Sequence, residues 1–328
     1  MALTLDGTNG IVSSGSITTQ SATGVIFSDS SNQGAAASPF SLKNRIINGD
    51  MAVWQRGTSV AVTNTAYWAD RFSTNFQPYT ASRSTDAPAG FQYSADINPG
   101  STVNFTTTVQ KIESVNCADL VGQTVTISCY AKSISGASAG LGLELNFANA
   151  VDNFSTTTNI AFRTLATTLS TSWTRYSATI TNLPANAANG LMVTFSTNST
   201  VAANYRITGV QLERNTTATP FEWIPYSTEL ALCYRYYWQD PSVGLDTPYA
   251  DTTYNTVTRQ YFMPVSMRVI PTVTQNGSVI VKNNIGAVNV FTIDVGTSNT
   301  NQTNTSIFAT PTAARTFLYR PVQFSAEL

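Results

Sequence analysis

The chain has 328 residues, charged side chains at only 11 % of positions, a formal net charge of −1 and no histidine. That balance offers no basic field to hold a phosphate backbone, so nucleic acid is not an expected partner. The missing histidine removes the Ser-His-Asp and Cys-His catalytic arrangements and the commonest metal ligand.

The cysteines are Cys117, Cys129 and Cys233. An odd, sparse set makes neither a disulfide framework nor a zinc site, and they read as free buried thiols of a protein made in a reducing cytosol. No apolar run approaches bilayer-spanning length, so membrane insertion is not expected. Met1-Ala-Leu-Thr-Leu-Asp6 lacks the basic start and apolar block of a signal peptide. Residues 1–43 read as an extended N-terminal arm, in which Asp29 is the only charge between Asp6 and Lys43. Leu3, Leu5, Ile11, Ile17 and Ile26 are too scattered to bury a core. Such an arm is either a disordered leader or becomes ordered by packing on copies of itself or a larger assembly.

From Asn44 the texture changes to aromatics, turn signals and period-two alternation. Val103, Phe105, Thr107 and Val109 share one strand face, as do Val125, Ile127, Cys129 and Ala131, and Leu141, Leu143, Leu145 and Phe147. Further strands carry Tyr176, Ala178 and Ile180; Leu191, Val193 and Phe195; and Tyr205 and Ile207, followed by Val210 and Leu212. About eight short strands with no amphipathic helix between them predict an all-β fold, an antiparallel β-sandwich over residues 44–226. Pro220 and Pro225 frame an extended aromatic crossing after Glu213. Residues 227–238 read as a hinge, in which Ser227 or Thr228 caps a short helix through Cys233. Residues 239–328 read as a smaller C-terminal β domain. Its expected strands are Val257 to Phe262, Val273 to Thr274, Ser278 to Lys282, Val288 to Ile293 and Arg315 to Phe324. The uncharged stretch from Gly296 to Ser306 is expected to be an exposed loop.

Several of these motifs resemble a known family. Asn44-Arg-Ile-Ile-Asn-Gly-Asp50, Trp54-Gln-Arg-Gly57, Tyr67-Trp-Ala-Asp-Arg71, Gln110-Lys-Ile-Glu113 and Leu120 to Ser133 are similar, in order, to the carbohydrate-binding-module-like jelly roll of phage tail fibres and related tail proteins. Ser172-Trp-Thr-Arg-Tyr176, Gly209-Val-Gln-Leu-Glu213, Ala218-Thr-Pro-Phe-Glu222 and Glu229 to Tyr237 continue the match. Met263 to Thr272 and Ser325-Ala-Glu-Leu328 resemble the small β domain that often follows it, and Leu3 to Ile11 resembles the start of tail-fibre chains. Ser128-Cys-Tyr130 departs from the pattern, where the family usually carries two larger aromatics. The resemblance implies a jelly roll and a homotrimeric component of the virion tail, assembled in the host cytoplasm. Its arm would attach to other virion proteins and its C-terminal domain would be the tip that meets a host surface glycan. The alternatives are a purely structural tail or capsid decoration protein and, more remotely, a polysaccharide depolymerase.

Glycan binding needs an exposed aromatic face with polar groups around it. Trp54 and Trp173 fall inside the fold's own pattern and read as core. Trp68, beside Asp70 and Arg71, has two readings, sheet-edge packing or a sugar platform. Asn75, Gln77 and Tyr79 join it on an expected loop. Trp223 and Tyr226 read as a clamp holding the crossing strand. Glu213, Arg214, Glu222, Arg235 and Tyr237 are expected at the domain junction or a subunit contact, as structural ion pairs. Asp96, Glu113, Asp119 and Glu144 are isolated in polar sequence, so no carboxylate pair for glycoside cleavage is apparent and an enzyme is not expected. No EF-hand loop is present, and neither a metal nor a cofactor is expected.

Overall fold

The computed structural model describes residues 42–63, 65–75, 78–100, 105–134, 139–198, 203–240, 257–275 and 322–328, with strand segments at 25–26, 32–33, 245–246, 279–282, 288–291, 296–298, 304–309 and 316–318. The chain forms two units, Met1–Leu42 and Lys43–Leu328. In the first, β1 (Val25–Ile26) and β2 (Asn32–Gln33) pair antiparallel. Of the rest of the expected arm only Leu42 and Lys43 are among the described residues, and Lys43 belongs to the second unit.

The second unit opens with a sandwich. Its strands are β3 (Ser59–Val62), β4 (Tyr79–Ser84), β5 (Ser94–Asn98), β6 (Phe105–Ile112), β7 (Val125–Ser133), β8 (Gly140–Ala150), β9 (Asn153–Ala166), β10 (Thr174–Ile180), β11 (Leu191–Asn198) and β12 (Tyr205–Glu213). A six-stranded sheet has the order β10-β7-β12-β5-β4-β3, and a four-stranded sheet has the order β6-β11-β8-β9. Every pairing is antiparallel. In every strand but β6 the alternation read from the sequence is the inward face. In β6 the expected row of Phe105, Thr107 and Val109 faces away from the core, opposite Asn198, Ser196 and Thr194, and Ile112 points inward opposite Leu191, while Val103 lies outside the described residues. Leu141, Leu143 and Leu145 of β8 share one buried cluster with Ile127, Cys129 and Ala131 of β7. Each such aliphatic side chain contributes about 1.5–3 kcal/mol when fully buried. All three cysteines are free and buried.

The longest strand, β9, carries no strand expectation from the sequence. It is an edge strand running mostly through Thr, Asn and Ser, and only Ala161 of it is fully buried. A strand held by backbone pairing at a sheet edge needs little apolar alternation.

Strand β12 bends at Gly209. Its register shifts between Thr208 and Gln211, and Gly209 has a φ of +60°. A Cβ there would lie 2.7 Å from the Phe91 ring and 2.8 Å from the Tyr130 ring, so only glycine fits. Past this bulge Asn44 borders the strand: its Oδ1 accepts the Leu212 N–H at 3.0 Å and its Nδ2 donates to the Val210 carbonyl at 3.1 Å.

The hinge helix α1 spans Tyr226–Tyr234. Neither Ser227 nor Thr228 caps it. The helix starts earlier, at a Pro225 N-cap whose carbonyl takes the N–H groups of Thr228 (2.9 Å) and Glu229 (3.0 Å). Proline lacks a side-chain acceptor but its fixed φ suits a helix entry.

Beyond it lie β13 (Tyr237–Asp240), β14 (Leu245–Asp246), β15 (Val257–Phe262), β16 (Thr272–Gln275), β17 (Val279–Lys282), β18 (Val288–Phe291), β19 (Gly296–Ser298), β20 (Asn304–Ala309), β21 (Thr316–Leu318) and β22 (Val322–Ser325). They form sheets β13-β22-β16, β14-β21-β17-β18 and β15-β20-β19. The stretch expected as a loop from Gly296 to Ser306 instead holds β19 and the start of β20, with Ser298 opposite Ser306. Threonine-rich, uncharged sequence pairs through its backbone without needing an apolar face. The single strand expected from Arg315 to Phe324 is two, β21 and β22, with Pro321 between them. Met263, Met267, Val322, Phe324 and Ala326 make a small core here, and Trp238 stacks on Phe324 with centroids 4.9 Å apart.

Candidate functional site

The motif residues between Asn48 and Arg71 do not form an exposed platform. Trp68 is 0 % exposed, with its ring 5.4 Å from that of Trp54 and 5.6 Å from that of Phe72. This overturns the sugar-platform reading, because a stacked sugar needs a free ring face. Asp70 is also fully buried, its carboxylate accepting the Gln55 N–H at 2.7 Å. Burial pushes its carboxyl up to about 6, while Arg56 and the Gln55 N–H pull the other way. Arg71 is buried, donates to the Glu327 carboxylate and to the Lys111 carbonyl (2.6 Å), and lies 3.5 Å from the Tyr236 ring centroid. Tyr79 is buried too, donating to the Thr107 carbonyl at 2.8 Å. Asn75 is half-buried, its N–H on Thr107 Oγ1, and Gln77 lies outside the described residues.

These side chains build a joint. Arg56 and Arg71 both meet Glu327, Tyr67 donates to the Leu328 carbonyl (2.9 Å), and Gln55 donates to the Tyr237 carbonyl (2.9 Å). Asn48, at a left-handed φ of 60°, ties its own turn to Val53 and Asp70 and gives its N–H to Glu229 of α1. Gly49 is obligatory here, since a Cβ would sit 2.2 Å from the Val210 carbonyl oxygen.

The junction residues divide. Arg235 pairs with Glu113 at 3.0 Å, not with Glu213 or Glu222 as expected. Glu213 is buried and takes the Thr219 N–H (2.8 Å) and hydroxyl (2.6 Å), with Lys43 at 3.9 Å. Tyr237 is buried beneath Arg56, whose guanidinium lies 3.5 Å from its ring centroid. Trp223 clamps the crossing segment, packing 4.6 Å from Phe91 and 5.0 Å from Phe221, yet remains 52 % exposed. Tyr226 is 59 % exposed at the start of α1 and joins no ring cluster among the described residues.

A different surface carries the features a glycan needs. On the outer face of the four-stranded sheet, Phe162 stands opposite Glu144, Asn159 opposite Asn146, and Thr164 opposite Gly142. Directly opposed residues share a face, and β11 adds Met192, Thr194 and Ser196 in the same rows. The Phe162 ring is 56 % exposed and lies over Gly142, where a Cβ would come within 3.0 Å of it. Beside it Asn159 Nδ2 bridges Glu144 Oε1 (3.1 Å) and Asn146 Oδ1 (3.0 Å). The Thr194 hydroxyl is buried in this face with no hydrogen-bond partner. At the Lys111 end of the sheet the surface opens into a cleft of about 490 Å³, lined among others by Lys111, Asp152, Phe154 and Glu327. Asn146, Thr194 and Met192 are buried beneath this face and support it, while the exposed Phe162 ring, the exposed Asn159 and the half-buried Glu144 are suited to stack on a sugar's C–H face and bond its hydroxyls.

Sequence reasoning missed Phe162, Asn159 and Asn146. The available signal was the pair Ala161-Phe162: neighbours in a strand point to opposite faces, so with Ala161 inward the large ring is displayed outward. Among the described residues no group of three His, Cys, Asp or Glu is placed to hold a metal, and no helix is long and apolar enough to cross a membrane.

No family description matches this sequence, and no curated protein matches it. Solved structures similar to it include the enzymatically active domain of bacteriophage CBA120 tailspike protein 4, at 13 % identity over 52 % of this chain and 21 % of that one, with a TM-score of 0.34. The CBM22-1 xylan-binding domain of Paenibacillus barcinonensis Xyn10C is 14 % identical over 49 % of this chain and 94 % of its own, TM-score 0.33. A CBM4 structure is 18 % identical over 51 % of this chain and 98 % of its own, TM-score 0.34. These similarities are too distant to transfer a ligand.

Proposed function

We propose that this chain binds a glycan, without cleaving it, on the outer face of the four-stranded sheet. The observation that carries this is the exposed Phe162 ring, resting against Gly142 beside the Glu144–Asn159–Asn146 ladder. Affinity gel electrophoresis against a panel of soluble, uncharged plant and bacterial polysaccharides tests it. At least one polysaccharide is expected to retard the protein, and Phe162→Ala to abolish the retardation. Retardation by none, or unchanged retardation of Phe162→Ala, contradicts the proposal. Release of reducing sugar from the retarding polysaccharide contradicts the non-enzymatic part.

The sequence resemblance supports the further reading that the chain is a homotrimeric tail-fibre component. In it, residues 1–43 attach to the virion and the glycan belongs to the host surface. A decoration protein with no receptor contact is the alternative. Removing residues 239–328 is a poor way to separate the two, because it would strip buried Arg71 of Glu327. The point variant Phe162→Ala in the particle is cleaner: reduced adsorption supports host attachment, and normal adsorption supports the decoration role.

A further inference from the structure

The opposite sheet carries a second set of groups with a different chemical preference. Arg175 of β10 stands opposite Tyr130 of β7, and its guanidinium lies 5.7 Å from the Tyr130 ring centroid. Tyr130 packs 5.4 Å from Phe91, which in turn contacts Phe221 (5.0 Å) and Trp223 (4.6 Å). A cation thus borders an aromatic cluster whose outermost ring, Trp223, is half exposed.

The charges on this face are unequally answered. Asp86 and Asp96 are both taken by Arg206, and Asp86 also by Lys132 (2.5 Å) and the Trp173 indole N–H (3.0 Å). Arg175, in contrast, donates to the Ser128 hydroxyl (3.1 Å) and the Thr219 carbonyl, both neutral. Its Nε is shielded from solvent with no acceptor. Glu213, which also meets Thr219, is committed to Lys43, Gln211 and the Thr219 N–H and hydroxyl. Among the described residues no carboxylate is paired with Arg175. In a chain this poor in charge, a guanidinium without an anion, joined through Tyr130 and Phe91 to an exposed tryptophan, is a recognition element for an oligosaccharide that carries one.

We propose that Arg175, Tyr130 and Trp223 form a second saccharide site, separate from the Phe162 face and selective for a sugar carrying a carboxylate. The carboxylate of one residue of an oligosaccharide approaches the exposed part of the guanidinium while a sugar ring of the same chain lies against Trp223. Because the two sites occupy opposite sheets, either can fail without the other.

The test is isothermal titration of the full chain with a polyuronate oligosaccharide (alginate hexasaccharide) and with a neutral one (cellohexaose). The uronate is expected to bind, more weakly as salt is raised, and at least about ten-fold more tightly than the neutral probe, one such pairing being worth that much. Trp223→Ala and Arg175→Gln should each weaken uronate binding about ten-fold or more, while Phe162→Ala leaves it unchanged. Arg175 also holds the crossing segment, so a misfolded Arg175→Gln leaves Trp223→Ala, a change at an exposed ring, to decide. No uronate binding, equal binding of both probes, or uronate binding indifferent to Trp223→Ala overturns the proposal.

Discussion

Arg71 and Glu327, 256 positions apart in the chain, form a buried ion pair, with Arg56 on the second carboxylate oxygen. The pair fastens the last residues to the turn that carries Trp68 and Asp70. Removing one partner of a buried pair leaves the other charge uncompensated. Glu327→Ala is therefore expected to lower stability by about 3–5 kcal/mol in urea denaturation. Asp119→Ala, which breaks the more exposed Arg45–Asp119 pair, should cost at most about 1 kcal/mol. Equal losses from the two would show that the Glu327 joint contributes no more than a surface contact.

The hinge helix rests on a second buried carboxylate. Burial pushes Glu229 up to about 7, and the charges of Asp50 and Glu222 add to the rise against the Asn48 N–H. A carboxyl held above its unfolded value binds its proton more tightly in the folded chain, so its contribution favours low pH. That contribution is lost as pH rises from the unfolded value of about 4.3 through the folded one. Glu229→Gln keeps an acceptor for Asn48 and removes the charge. It should gain on the order of 2–3 kcal/mol over the parent at pH 8 and almost nothing at pH 4, read from denaturation across that range. A gain independent of pH would rule out titration as its cause.

The Phe162 ring rests against position 142 because that position has no side chain. Gly142→Ala places a Cβ against that ring and 2.8 Å from Ser196 Oγ. The ring, exposed on its other side, can lift. We expect a stability change within about 1 kcal/mol but a loss of polysaccharide retardation comparable with Phe162→Ala. Retained retardation with normal stability would mean that the ring's position does not matter.

Gly209→Ala meets both a left-handed backbone and two fixed rings, Phe91 and Tyr130. Strain and overpacking together should cost about 2–4 kcal/mol, seen as a lower thermal midpoint. A neutral result would show that the β12 bulge relaxes freely.

The sandwich was legible in the sequence because Leu141, Leu143 and Leu145, or Ile127, Cys129 and Ala131, repeat with the period of a strand whose one face is dry. The site was not. Tyr67-Trp-Ala-Asp-Arg71 has the composition of a sugar platform, yet its partners are Glu327, Tyr236 and Leu328, contributed from far along the chain. Nothing local distinguishes an arginine awaiting a ligand from one awaiting Glu327. Conversely, Phe162 sits in an edge strand of threonines and asparagines, where weak alternation hid both the strand and the ring it displays. The β19–β20 pairing was hidden in the same way, its sequence being uncharged and rich in threonine, serine and asparagine with no period-two apolar row.

The most direct test of the glycan face is backbone-amide NMR of the chain titrated with oligosaccharides cut from whichever polysaccharide retards it. Shifts concentrated at Asn146, Asn159, Phe162 and Thr194 are the expected result. Shifts that spare these four while the ligand binds would contradict the assignment of this face.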